Sequence, residues 1–255
     1  MRFSIITATK NAGDEIDSTI KSVISQKDVD LEHIVIDSLS TDNTLDIIEK
    51  YVNDYPIKLI SEPDDGISDA FNKGVKISTG DWIIFLGSGD LLIHSNVLKD
   101  MSEKLNSKSK SLVVWGNIIF INNEGDIGKL VSGKFPKSRL RRYMCMPHQA
   151  TFTNRAMFKE YGLFDKNIKS AMDYDILLRS YHEIREDDYI DYDVAYMLIG
   201  GTSQKGDNIA IKEFRNLQIN HKIWPTSVAY LWYYWAILKN YIKYLINHDT
   251  MMKLL

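Results

Sequence analysis

Cysteine is nearly missing from this chain: Cys145 stands alone among 255 residues. A single thiol excludes an intrachain disulfide and a zinc site built on cysteines, and such usage fits a reducing compartment. Met1-Arg-Phe-Ser opens the sequence without a charged-then-apolar leader, so the expectation is a cytoplasmic protein. Excess charge of one sign is missing too, since 31 Lys and Arg against 34 Asp and Glu leave a net charge of −3. A surface that binds a phosphate backbone normally shows as a basic domain, so nucleic acid is not an expected partner. There is no internal repeat and no low-complexity segment. No Gly-x-Gly-x-x-Gly follows the first apolar run, where the sequence reads Ala8-Thr-Lys-Asn-Ala-Gly13. That argues against a dinucleotide cofactor and leaves room for a mononucleotide-linked ligand.

What is present is an ordinary globular composition, 44% hydrophobic and 25% charged, so a sizeable core is expected and disorder is not. Short runs rich in Ile and Val at Phe3–Thr7, His33–Ile36, Lys58–Ser61, Trp82–Leu86 and Leu112–Trp115, each bounded by polar residues or glycine, predict buried strands. Between them, Ile16, Ile20, Val23 and Ile24 recur at helical spacing within Asp14–Gln26, and Leu45, Ile48 and Tyr51 do so within Asp42–Tyr51. Strand and helix alternate. The fold class is therefore α/β, with right-handed βαβ units, a mostly parallel sheet covered on both faces, and ligands at the carboxyl ends of the strands. Ile121–Lys137, with its Asn122-Asn-Glu-Gly and Ser132-Gly turn signals, reads as a hairpin or flap. From Trp224 onward the character changes: Ile223–Leu238 carries no charge and is crowded with Trp and Tyr, followed by Lys239 and Lys243. It is shorter than the ~20 apolar residues that span a bilayer. An aromatic helix ending in lysines suits a membrane interface, or else packs on the domain or on a second copy.

Four blocks, in order, bear the residues suited to chemistry. They are Ser4-Ile-Ile-Thr-Ala-Thr-Lys-Asn11; Val35-Ile-Asp-Ser-Leu-Ser-Thr-Asp42; Ser61-Glu-Pro-Asp-Asp-Gly-Ile-Ser-Asp-Ala-Phe-Asn-Lys-Gly74 with Asp81-Trp-Ile-Ile-Phe-Leu-Gly-Ser-Gly-Asp90; and Ala171-Met-Asp-Tyr-Asp-Ile-Leu-Leu-Arg179. Read alone, each has a structural explanation. Asp37 can support a turn before a helix near Thr44, with Ser40 and Asp42 as caps. Asp64-Asp-Gly66 is a turn, Asp69 a first-turn helix acid, and Asp175 a cap or dipole partner. Together the blocks resemble the family-2-like inverting glycosyltransferases of the GT-A fold.

The resemblance implies a single GT-A (Rossmann-like) domain over residues 1–222, with a nucleotide-sugar-binding half at 1–115 and an acceptor and catalytic-base half at 116–222, then an amphipathic helical tail at 223–255. It implies a nucleotide-sugar donor, by preference a UDP-sugar, bound by Thr7, Asp37, Asp64, Asp69, Asn72, Gly89, Asp90 and His148. Asp37 would accept the imide N–H of the base. Gly87-Ser-Gly-Asp90 stands where the family carries an acid-rich metal-binding turn, so Asp90 is the implied ligand of Mn²⁺ or Mg²⁺. Asp173 is the implied catalytic base. The acceptor would be a saccharide or polyprenyl-linked saccharide in cell-envelope polysaccharide assembly of the O-antigen kind. Residues 223–245 would contact the inner face of the plasma membrane or form a homodimer. The arginines of Arg139-Leu-Arg-Arg142 would attract a phosphate-rich acceptor or lipid headgroup. Two rival readings remain: a non-catalytic binding or scaffold subunit, and a nucleotidyltransferase on a related α/β fold.

Overall fold

The apolar runs become the strands they predict. In the computed structural model, which describes residues 1–122, 124–199 and 207–252, these are β1 (Arg2–Thr9), β2 (Asp30–Asp37), β3 (Ile57–Ser61) and β4 (Trp82–Gly87). They lie in the order β3-β2-β1-β4 with every pairing parallel. Parallel strands are covered on both faces, which is why they read as continuous Ile and Val rather than as alternation. The crossovers are α1 (Ile16–Ile24), α2 (Thr44–Val52) and α3 (Ile67–Ile77). Helix α1 buries Ile16, Thr19, Ile20 and Val23, one stripe at helical spacing.

The second half widens the sheet and mixes its direction. It contributes β5 (Leu91–Leu92), α4 (Val97–Asn106), β6 (Val113–Ile121), β7 (Ile127–Val131), β8 (Thr151–Asn154), α5 (Arg155–Tyr161), α6 (Met172–Arg179) and β9 (Tyr189–Leu198). Strand β8 joins β4 and β6 in antiparallel fashion, β6 runs parallel to β9, and β5 closes the edge, giving nine strands among the described residues. The flap-like stretch is a hairpin in which β7 pairs antiparallel with β6. Asn123, within its turn, lies outside the described residues, as do 200–206 and the end of the tail at 253–255.

One face of the sheet buries Ile6, Ile34, Phe85 and Trp115 against Phe71 and Tyr174, and the other buries Phe3, Ile5 and Ile84 against Leu98 and Phe152. Each such side chain contributes ~1.5–3 kcal/mol by leaving water. One buried charge is included: Glu32 accepts from Ser4 Oγ (2.6 Å), Lys58 Nζ (2.7 Å) and Thr79 N–H (2.6 Å). Burial alone would raise its pKa, but these donors hold it at about 2.

Two helices follow, α7 (Asp207–Asn220) and α8 (Thr226–Met252). The tail is helical, as expected, and it is tied to the domain. Arg215 on α7 lies over the rings of Tyr230 and Tyr233, Arg142 over Trp232, and Arg141 over Trp224. Two of the three arginines read as attracting phosphate therefore hold the tail's inner face. On the outer face Leu231, Tyr234, Trp235, Leu238, Tyr241 and Ile242 are exposed. No described helix is long and apolar enough to cross a membrane.

Candidate active site

Strands β1, β2 and β4 end side by side, which places the first three blocks along one crevice at the carboxyl ends of a parallel sheet. Thr7 is fully buried, and its Oγ1 pairs with His33 Nε2 at 2.9 Å, so its side chain points into the sheet rather than toward a ligand. Asp37, at the last position of β2, is also fully buried. It accepts from Ser40 N–H (3.0 Å), from Ser61 Oγ (2.7 Å) and from Ser40 Oγ. The carboxylate holds the turn and the neighbouring strand β3 together, with three of its acceptor sites already used inside the protein.

Asp64 accepts from Gly66 N–H at 2.9 Å, and Gly66, with φ of 108°, takes a conformation that L side chains avoid. Asp69 is buried beside Lys166 (2.7 Å) and accepts from Asp65 N–H (3.2 Å). Asn72 grips Phe164 from both sides, donating to its carbonyl and accepting from its N–H, each at 2.9 Å. Asp69 and Asn72 thus tie α3 to the segment leading into α6. An open cavity of about 760 Å³ flanks this junction, lined by Asp65, Phe164, Asp165, Lys166, Asn167 and Lys169. None of the expected donor contacts lines it.

The turn after β4 corrects one expectation. Asp90 faces inward. Its Oδ2 accepts from Gly87 N–H (2.9 Å) and Gln149 Nε2 (3.1 Å), its Oδ1 accepts from Leu198 N–H (3.1 Å), and the residue is 6% exposed. Burial raises its pKa to about 6. Gly89, at φ of 94°, is backed by Leu198 and donates to Thr19 Oγ1 (2.8 Å). Mg²⁺ commonly binds through one or two carboxylates with substrate phosphates and waters, and no three His, Cys, Asp or Glu residues are grouped for a metal among the described residues. The one carboxylate of this turn is directed to internal donors, so in this structure Asp90 acts as a clasp.

Asp173 sits in the first turn of α6 and keeps a fifth of its side-chain exposure. Its carboxylate faces His148 Nδ1 at 3.9 Å. His148 stacks on Phe85 (ring centroids 5.3 Å apart, planes 14°) and adjoins Phe71. Burial among these rings lowers the His148 pKa, while Asp173 pulls it upward; burial raises that of Asp173, partly opposed by His148. The pair is a neutral imidazole beside a carboxylate with strengthened basicity. Because Gln149 holds Asp90 while its neighbour His148 faces Asp173, the Pro147-His-Gln segment brings the β4 turn and α6 together.

Three contributors had no sequence signal of their own or only a faint one. Gln149 was visible beside His148 but without a role. Glu213 on α7 accepts from the N–H groups of Lys169, Ser170 and Ala171 at 2.8, 2.8 and 2.9 Å, closing the loop that enters α6. His221 pairs with Asp175 (2.8 Å), which also meets Arg179 (2.9 Å), so Asp175 anchors α6 rather than capping it. Cys145 is half-buried, its thiol pushed up to about 12 by desolvation.

Comparison with known proteins places this geometry. The pattern of Glycosyl transferase family 2 matches residues 4–163, more than half of the chain. Over 183 residues the chain is 31% identical to the PGL/p-HBAD biosynthesis glycosyltransferase of Mycobacterium bovis, covering 70% of this chain and 69% of that protein. It is 30% identical over 224 residues to the chondroitin synthase of Pasteurella multocida, 86% of this chain but 22% of that one. In fold it resembles S. aureus TarS 1-349, solved with UDP-GlcNAc, with a TM-score of 0.69 at 21% identity, over 90% of this chain and 69% of that chain. It also resembles the mannosyltransferase PcManGT of Pyrobaculum calidifontis, solved with GDP-Man and Mn²⁺ (TM-score 0.64, 14% identity, 100% and 81% covered). With its ordered motifs, its parallel-to-mixed sheet and these relatives, the chain belongs to glycosyl transferase family 2.

Proposed function

We propose that the chain transfers a sugar, with inversion, from a UDP-sugar to a saccharide or lipid-linked saccharide in cell-envelope polysaccharide assembly. The observation that carries the reading is Asp173: a partly exposed carboxylate of raised pKa at a helix start, beside His148, whose neighbour Gln149 clasps the β4 turn. A base for inverting transfer has to hold its proton-accepting form near the working pH and face the reacting carbon from the side opposite the leaving group. Asp173 takes the acceptor hydroxyl's proton as that oxygen attacks the anomeric carbon. The bond from this carbon to the diphosphate oxygen breaks, and the nucleoside diphosphate leaves with the electron pair. His148, stacked on Phe85, lies beside the carboxylate with Nδ1 3.9 Å from it, and Tyr174 N–H donates to Asp173 Oδ1 at 2.7 Å.

The choice of donor draws on TarS, solved with UDP-GlcNAc, and the choice of setting on relatives named for glycan synthesis. The exposed stripe of α8 is read as a peripheral contact with the inner face of the plasma membrane through residues 223–245, with a second copy as the competing occupant. One observation favours a second function: Asp37, Asp69 and Asp90 are all engaged within the protein, as a non-catalytic donor-binding subunit would permit. A panel of nucleotide sugars incubated with the purified chain separates the two. Release of nucleoside diphosphate that Asp173→Asn suppresses supports transfer; binding of a nucleotide sugar with no turnover on any acceptor supports the subunit.

A further inference from the structure

We infer that this chain binds the diphosphate of its nucleotide without a divalent cation held by its own side chains. The inference rests on the glycosyltransferase reading and deepens it at the donor site. The turn after β4 has four positions, Gly87, Ser88, Gly89 and Asp90, and only the last carries a carboxylate. Both of its oxygens are engaged by three donors: two backbone N–H groups and the Gln149 amide. Swinging Asp90 outward to meet a cation would break all three of these hydrogen bonds, two of them from backbone groups.

The remaining positions are closed to substitutes. Ser88 Oγ donates to Thr9 Oγ1 at 2.9 Å. A Cβ at Gly89 would stand 2.5 Å from Leu198 Cδ2 and 3.4 Å from Glu15 Cβ, on a backbone with φ of 94°. An acid there would have to push the Leu198 side chain aside and adopt a backbone conformation that L residues avoid. Gly87 has the same fate, since a Cβ would lie 3.0 Å from the Asp90 carboxylate itself.

Electrostatics agree with the geometry. An acid-rich turn repels a diphosphate, and a bridging cation is what reconciles the two charges. A Gly-Ser-Gly turn with a single acid, buried and turned to internal donors, presents less of this repulsion than an acid-rich one. The diphosphate can approach the backbone of Gly87–Gly89 with no cation between them, and glycine at these positions permits the close approach.

The test is calorimetric titration of the full chain with UDP, once in Mn²⁺ and once in excess EDTA, with GDP as the second ligand. The expected result is a dissociation constant that agrees within about threefold between the two conditions, since nothing on the protein couples cation to nucleotide. UDP binding that appears only with Mn²⁺, or that tightens tenfold or more, overturns the inference. No binding of UDP or GDP in either buffer overturns the underlying glycosyltransferase reading instead. A second variant guards against a fortuitous match: Asp90→Asn is expected to lower the melting temperature while leaving the ratio of the two affinities unchanged. A well-folded Asp90→Asn that gains or loses a Mn²⁺ response would show that Asp90 touches the cation after all.

Discussion

Asp173 is the proposed base, and its replacement tests that reading directly. Asp173→Asn keeps the side-chain volume and removes the proton acceptor, so transfer is expected to fall by about 10²–10⁴-fold, the usual contribution of a positioned acid or base. Nucleotide affinity, measured by titration with UDP, should change little. The pH profile follows from the same environment. Burial raises the Asp173 pKa above its ordinary value of 3.8, so the carboxylate is protonated, and transfer lost, at a higher pH than for an exposed aspartate. A kcat–pH curve whose acid limb lies in the ordinary carboxylate range would remove Asp173 from this role. The sequence singles out Asp173 only through the family resemblance of its Ala171-Met-Asp-Tyr-Asp block, and the structure places that residue in the first turn of α6. The inward turn of Asp90 was not legible there. Which way that side chain points is decided by Leu198 and Gln149, residues that are far from it in the sequence and silent in composition.

Among the elements, α6 depends on α7. The three N–H groups that Glu213 satisfies are the loop entering α6, and an unsatisfied buried donor costs ~1–3 kcal/mol. Water reaches Lys169, which is exposed, so Glu213→Ala is expected to cost about 1–2 kcal/mol, a drop of roughly 2–8 °C in melting temperature for a chain of this size. Because a small misplacement of a catalytic group slows transfer steeply, kcat should fall further than stability accounts for. Glu213→Gln, which keeps one acceptor oxygen, should restore part of both; equal behaviour of the two variants would refute the capping role. Elements differ in how far the sequence reveals them for a comparable reason. β1, β2 and β4 are runs of buried Ile and Val that nothing else explains, and the spacing of α1 was equally plain. β9 reads Tyr189-Ile-Asp-Tyr-Asp193, too acidic for a core strand, until Asn117 is seen holding both Asp191 and Asp193 (3.1 and 3.0 Å). Tertiary hydrogen bonds paid for that strand, and no local pattern records them.

At the scale of the molecule, the parallel half follows directly from alternating strand and helix, whereas the mixed half and the attachment of the tail are set by contacts between distant segments. The exposed stripe of α8 makes a separable prediction. A chain ending at Lys222 should remain folded and still bind UDP, while losing attachment to anionic liposomes and losing transfer to a membrane-embedded acceptor more than to a short soluble analogue. Equal liposome sedimentation of the two forms would dismiss the membrane contact, and a halved elution mass on truncation would point to a second copy on the same face.

The position of Glu213 and His221 also fixes where such a dissection can begin. Both lie upstream of Lys222, Glu213 within α7 and His221 just past its end, and both brace α6. A cut placed before Asp207, where the sheet already looks complete, strips the support from the helix that bears Asp173, so loss of turnover in that fragment carries no information about α8. The smallest fragment whose silence can be interpreted ends beyond His221, some way past the stretch that family similarity marks out.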